Sequence, residues 1–127
     1  MTKLTNFCKS IIISLAIICS FSLLFCDTLS IFPLVLPKTI LFRILVEIML
    51  IFYLILIFYQ KEFLPKWTKL NIALVIFVFI NIVSSLAGVN PYRSFFSSAE
   101  RMNGLFGLIH YFLFILILSS VIKTKNE

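Results

Sequence analysis

Two charged residues of this sequence lie inside an apolar run. Arg43 and Glu47 are four residues apart in the stretch from Ile40 to Tyr59. Residues at that spacing share one face of a helix, so the two side chains can form an ion pair that faces neighbouring helices. Ionisable residues inside a membrane span are also functional candidates. On that second interpretation Arg43, near the outer end of its helix, binds an anionic headgroup or phosphate through its planar donor fork.

The polar segment GVNPYRSFFSSAERMNG, residues 88–104, separates the last two apolar runs. From Tyr92 to Met102 polar and apolar residues mix at near-helical spacing, which predicts a short helix in the membrane interface. Arg93 and Arg101 add positive charge where lipid phosphates lie. The alternative is an anchored loop with interfacial aromatic residues and snorkelling arginines. The residues that give this segment its character are Asn90, Pro91, Tyr92 and Glu100.

Other reactive side chains give weaker signals. His110 lies near the start of the last apolar run, where a general base is conceivable, but no carboxylate or nucleophile is close to it in sequence. The three cysteines lack C-x-x-C spacing, so neither a metal site nor another cofactor is predicted. Cys19 is interpreted as a small core residue. No residue is assigned a catalytic role.

The composition requires a lipid environment. The 127 residues are 61% hydrophobic and 13% charged, with a mean hydropathy of +1.14. Soluble domains average about 45–50% apolar and about 25% charged residues. A chain this short has too little interior to bury the excess. Its net charge of +6 is spread between apolar runs, which indicates membrane topology signals and excludes a nucleic-acid patch.

The apolar runs predict an all-α, polytopic membrane protein. Each run approaches the roughly 20 residues that a transmembrane helix needs. The first is interpreted as a retained helix, because no A-x-A cleavage site follows it. The four predicted transmembrane helices cover residues 7–25, 40–59, 70–86 and 105–122.

The distribution of Lys and Arg predicts the orientation. Cytoplasmic loops of membrane proteins carry the excess of these residues. With a cytoplasmic N-terminus, three basic loop residues lie outside: Lys38, Arg93 and Arg101. Seven lie inside: Lys3, Lys9, Lys61, Lys66, Lys69, Lys123 and Lys125. Both termini are therefore predicted to be cytoplasmic, with the 88–104 segment facing outward.

Two strings resemble bacterial O-antigen ligase family proteins. One is PKTILFRILVEI, residues 37–48, followed by an apolar helix and the turn residues Lys66 and Trp67. The other is GVNPYRSFFSSAERMNGLFGLIHYFLFILILSSVIKT, similar to a G-V-N-P-Y-x-S-F-W…E-R-x-x-G loop of that family. Phe96 stands where tryptophan is common and Asn103 where an acidic residue is common. The similarity covers most of Lys3 to Thr124.

The resemblance implies membrane glycosyl transfer in cell-envelope and lipopolysaccharide biosynthesis. Such proteins move a polysaccharide from a polyprenyl-pyrophosphate carrier to an acceptor at the outer face of the inner membrane, without metal or nucleotide. Related glycan polymerases share the fold, so a ligase and a polymerase role both remain open. The essential Arg and His residues of the family lie on a large loop between further helices, and none maps onto this chain. The expectation is an N-terminal fragment, inactive alone, whose partners are membrane lipid, the carrier-linked glycan and the remaining helices.

Two other functions fit the length and helix number. A small four-helix transporter would need a membrane acid as proton carrier, and Glu47 is the only deep acid. A non-catalytic assembly partner of an envelope complex would use polar residues of the third helix, such as Asn81 and Ser84, to meet another helix.

Overall fold

The computed structural model describes residues 2–21, 35–65, 67–98 and 104–122, and all regular elements among them are helical. This confirms the all-α fold class. The elements of this part are α1 (Thr2–Phe21), α2 (Leu36–Tyr59), α3 (Lys69–Ala87), α4 (Pro91–Phe96) and α5 (Leu105–Val121), with a 3-10 turn at Lys61–Phe63.

Three of these helices are long and apolar enough to cross a membrane. The spans Lys3–Phe21, Leu36–Tyr59 and Lys69–Ala87 have 19, 24 and 19 residues, with mean hydropathies of 1.8, 2.7 and 2.4. About 20 residues cover a bilayer core of about 30 Å. Helix α5 is apolar but has only 17 residues. The helices therefore indicate a membrane protein with three candidate spans in the described part, and a fourth span at α5 stays a prediction.

The first two helices begin earlier than predicted. Helix α1 starts at Thr2 rather than Phe7, because none of the polar residues before the apolar run breaks a helix. Helix α2 starts at Leu36 rather than Ile40, since a proline in the first turn, Pro37, needs no donor and has a helical φ already. The predicted bounds of α3 and α5 agree with the structure within one residue. Residues 22–25 lie outside the described part.

Helix α4 is shorter than the predicted interfacial helix. The Asn90 side chain caps it by accepting a hydrogen bond from the Arg93 amide at 3.1 Å, and Pro91 occupies the first turn. The helix ends at Phe96 because Ser97 has a φ of 64°, a left-handed conformation in which the helix cannot continue. The predicted end near Met102 is therefore wrong for residues 97 and 98, and residues 99–103 lie outside the described part.

The helices pack in the order α1, α2, α5, α3. Helix α2 contacts α1 on one side and α5 on the other, while α3 packs against α5, and α4 bridges α3 and α5. The interior is largely aliphatic, and Cys19 is buried within it as predicted. Helix α3 buries far less of its surface than α2 does. The largest side chains that are fully buried are Ile12, Val46, Met49, Leu56 and Ile117.

Contacts along the bundle show the helix directions. Tyr53 lies beside Ser120, and Glu47 lies beside His110, so α2 and α5 run parallel. A cavity joins the end of α1 to the start of α2, and another joins the start of α3 to the second half of α5. Helices α1 and α3 are therefore antiparallel to their neighbours. We call the end with Lys9, Tyr53 and Phe63 the turn end.

The opposite end contains the starts of α2 and α5 together with α4. We call it the arginine end, after Arg43 and Arg93. Of the basic residues whose side chains are described, Lys3, Lys9, Lys61 and Lys69 lie at the turn end, and Lys38, Arg43 and Arg93 lie at the arginine end. The bundle thus has at opposite ends the two groups of basic residues that the number of Lys and Arg in each predicted loop distinguishes.

Candidate functional site

The structure brings two ionisable side chains together between α2 and α5. Glu47 lies at the middle of the 24-residue helix α2, and His110 lies in the second turn of α5. The Nε2 atom of His110 is 3.4 Å from Oε1 of Glu47. The histidine side chain is 6% exposed, whereas that of Glu47 is 63% exposed. A buried imidazole therefore holds a carboxylate at the edge of the helix pair.

The hydrogen bond of His110 to the backbone determines how its imidazole faces Glu47. Nδ1 of His110 is 2.7 Å from the backbone carbonyl oxygen of Phe106. Because a carbonyl only accepts, Nδ1 must carry hydrogen and donate. Nε2 then interacts favourably with the carboxyl of Glu47 only when one proton lies between them, on either the imidazole or the carboxyl group. The Phe106 carbonyl thus directs Nε2, rather than Nδ1, towards Glu47.

Arg43 is held beside the same pair by an aromatic ring. Its guanidinium carbon lies 4.9 Å from the centroid of the Phe106 ring, a cation–π geometry. The Phe106 ring also packs edge-on against His110, with centroids 4.6 Å apart. The Nε atom of Arg43 is buried. Phe106 thus contacts both Arg43 and His110, and Arg43 lies one helical turn before Glu47 on α2.

Helix α4 attaches a second arginine to this end. The ring centroids of Phe95 and Phe96 lie 6.0 and 6.2 Å, respectively, from the ring centroid of Phe106. Gly104 permits this approach, since a Cβ there would lie 2.3 Å from the Phe95 carbonyl oxygen. Arg93, on the same short helix, is exposed. Arg43 and Arg93 therefore belong to elements that meet at one phenylalanine ring.

An apolar cavity opens at the same end of the bundle. It has a volume of about 260 Å³ and lies between α1, α2 and α5. The ring of Phe42 contacts both Tyr111 and Phe114 there, with centroids 4.9 and 5.6 Å apart. Lys38 is the cation in its wall. The cavity is lined by Cys19, Ser20, Lys38, Thr39, Phe42, Tyr111 and Phe114.

The arrangement suits anion binding more than bond-making chemistry. Arginine forks recognise phosphate oxygens bidentately, and the apolar cavity beside them can take a hydrocarbon chain. Among the residues that the structure describes, no three His, Cys, Asp or Glu side chains cluster as metal ligands would. An ionised group at the centre of a span costs about 2.5–3.5 kcal/mol on insertion scales. Groups retained at that cost usually have a role in binding or assembly.

The predicted site residues divide into three groups. Arg43 and Glu47 lie together, while Asn90, Pro91, Tyr92 and Arg93 form the cap and first turns of α4. Glu100 and Arg101 lie outside the described residues. The ion-pair contact that the structure gives Glu47 is with His110, 63 positions away in the sequence, and sequence reasoning missed it. Asn81 donates to the Phe77 carbonyl within its own helix, at 2.8 Å.

A signal for the Glu47–His110 contact was present in the sequence. Under the predicted topology α2 and α5 both run inward from the outer face. Glu47 is seven residues into its predicted span and His110 is five residues into its own. At a rise of 1.5 Å per residue these depths differ by about 3 Å. Parallel neighbours would then place both ionisable groups at one level.

The fold and this site define an all-helical membrane protein with a polar cluster at one end of the bundle. No family model, curated protein or solved structure matches the chain. The functional proposal therefore depends on the site and on the sequence strings described above.

Proposed function

We propose that this chain is the N-terminal transmembrane part of an O-antigen ligase-like glycosyltransferase in the bacterial inner membrane. Its arginine end faces outward and binds the phosphates of a polyprenyl-pyrophosphate-linked glycan during cell-envelope biogenesis. The observation that carries the proposal is the pairing of Arg43 with the Phe106 ring, which Phe95 and Phe96 of α4, the helix that contains Arg93, also contact. We assign carrier binding, and no step of sugar transfer, to the described residues.

The proposal includes four spans, both termini in the cytoplasm, and α4 in the membrane interface. Helix α5, at 17 residues, covers about 26 Å and approaches the thickness of the bilayer core. The exposed rings of Tyr92 and Phe96 on α4 suit the interface, where aromatic residues concentrate. Lys38, Arg43 and Arg93 would then lie where the carrier headgroup meets water, and the cavity beside Lys38 would lie next to its first isoprene units.

A binding measurement with matched variants tests this proposal. The chain is reconstituted in phosphatidylcholine nanodiscs and titrated with undecaprenyl pyrophosphate. We expect Arg43→Gln to weaken binding about tenfold, equal to about 1.4 kcal/mol. Arg43→Lys should lie between wild type and Arg43→Gln, because lysine keeps the charge but lacks the planar fork. Lys61→Gln, which removes a cation from the turn end, should leave binding unchanged.

Two results would contradict carrier binding. One is equal loss in Arg43→Gln and Lys61→Gln, which would indicate a general charge effect. The other is displacement of the ligand by an equal concentration of phosphatidylglycerol, which would indicate that the site takes any anionic lipid. Inorganic pyrophosphate added alone separates headgroup binding from tail binding, since it lacks the chain that the cavity would hold.

The Glu47–His110 contact favours a second candidate, a small proton-coupled transporter. A carboxyl group in contact with a histidine inside a span is a common part of proton relays. If export of a drug is the function, Glu47→Gln should abolish it and leave the amount of protein in the membrane unchanged. Retained export in Glu47→Gln would exclude this candidate.

A further inference from the structure

One face of helix α2 is exposed along its length in the described part of the chain. Its residues follow one another at alternating intervals of four and three, which is the spacing by which one helix packs against another. We call this surface the Glu47 face. It consists of Ile40, Ile44, Glu47, Ile51, Leu54 and Phe58.

Glu47 distinguishes this surface from an ordinary lipid-facing one. Five of its six residues are aliphatic or aromatic, as lipid contact requires, but the sixth is a carboxyl group at the middle of the helix. His110 approaches only one edge of that group, and 63% of the side chain remains exposed. Hydrocarbon chains offer a carboxyl group no hydrogen bond, whether it is protonated or ionised. Lipid alone therefore leaves the carboxyl group of this face without a hydrogen bond on its exposed side.

A second copy of the chain also fits this face poorly. In a two-fold dimer the same patch meets itself, so Glu47 would lie near Glu47 of the other copy. Two carboxylates sharing an apolar site repel each other. The chemistry that complements the face is an apolar helix with one basic side chain at the matching depth, because it satisfies both the aliphatic residues and the acid.

We propose that the Glu47 face binds a transmembrane helix of a different polypeptide, which places one Lys or Arg side chain beside Glu47. The aliphatic residues on either side of Glu47 provide the packing, and the carboxylate selects the partner and its register. This contact does not require carrier binding, since the arginines that would hold phosphates are not members of the Glu47 face.

A designed helix serves as the probe for this proposal. A labelled leucine-rich transmembrane peptide with one central lysine is mixed with the labelled chain in phosphatidylcholine vesicles, and association is measured by Förster energy transfer. We expect it to bind about tenfold more tightly than the same peptide with leucine in place of lysine. Glu47→Gln should reduce this preference to less than about twofold, and Glu62→Gln, at an acid in the turn, should retain it.

A bulky substitution distinguishes loss of peptide binding at the Glu47 face from loss of the fold. Ile51→Trp enlarges a residue of the Glu47 face, and Phe79→Trp changes an exposed residue of α3 that lies off it. We expect only Ile51→Trp to weaken binding of the lysine peptide. Equal binding of the lysine and leucine peptides by the wild-type chain would overturn the proposal, and this comparison needs no variant. Energy transfer between copies of the chain that Ile51→Trp abolishes but the lysine peptide does not reduce would also overturn it, in favour of self-association through the Glu47 face.

Discussion

Each end of the bundle contains a cation–π contact, but the groups that surround this contact differ between the ends. At the turn end, Nζ of Lys9 lies 4.4 Å from the centroid of the Phe63 ring. At the arginine end, Arg43 lies over Phe106 in a similar way. Phe63 is itself fixed, because the Tyr53 hydroxyl donates to its carbonyl oxygen at 3.0 Å. The arginine end instead adds an ionisable pair, Glu47 and His110, to its cation and ring.

The comparison suggests which end is structural. Tyr53 and Phe63 are buried and joined by a neutral hydrogen bond, which closes the connection between α2 and α3. This hydrogen bond stabilises the turn, and the charged group in contact with Phe63 is Lys9. The lysines of the turn end lie in the turn or towards the starts of α1 and α3, whereas at the arginine end Arg43 and Glu47 lie inside the apolar helix α2. Charge retained inside a span at a cost in stability is what we expect of the binding site that we propose at this end.

The largest expected change in the free energy of unfolding comes from a substitution that fills the space between α4 and α5. Gly104→Ala would place a Cβ against the backbone of Phe95 and Phe96, which cannot move aside as a side chain can. We expect the free energy of unfolding, measured by detergent titration, to fall by about 3 kcal/mol. Gly88→Ala is the matched control, because a Cβ there makes only ordinary contacts at 3.4 Å or more. Equal stability of the two variants would show that α4 does not pack on α5 as described.

A smaller effect is expected from Tyr53→Phe at the turn end. This substitution removes the buried hydrogen bond to Phe63 and leaves the carbonyl without that donor. The free energy of unfolding should fall by about 1–2 kcal/mol. Tyr59→Phe, at an exposed tyrosine of the same helix, should change it by less than about 0.5 kcal/mol. The fluorescence of Trp67, the single tryptophan, reports whether the change is local to this end. Similar losses in both tyrosine variants would show that the hydrogen bond contributes nothing specific.

The smallest effect should follow Lys9→Met, which keeps the length of the side chain but removes the cation over Phe63. A cation–π contact contributes about 0.5–1 kcal/mol at an exposed site. The free energy of unfolding should therefore fall by that amount. Lys3→Met, at an exposed lysine of the same helix, is the comparison. If Lys3→Met destabilises the chain as much, the effect of Lys9→Met is not due to the Phe63 ring.

The helical architecture could be predicted from the sequence because long apolar runs have few alternatives in lipid. The start of α2 lies four residues before the predicted Ile40, because proline, here Pro37, is tolerated in the first turn of a helix. The length of α4 depended on the conformation of Ser97, which its residue type does not indicate. The Glu47–His110 contact required knowing that α2 and α5 are neighbours, and sequence spacing alone does not provide that.

The measurement that tests the proposed orientation most directly is labelling of single cysteines in intact bacteria. Cys8, Cys19 and Cys26 are replaced by alanine, and one cysteine is introduced at Val89, beside α4, or at Lys61, in the turn. With a membrane-impermeant maleimide we expect Val89→Cys to react in intact cells and Lys61→Cys to react only after permeabilisation. Reaction of Lys61→Cys in intact cells would place the turn end outside. The arginine end would then lie in the cytoplasm, away from the carrier headgroup that we propose it binds.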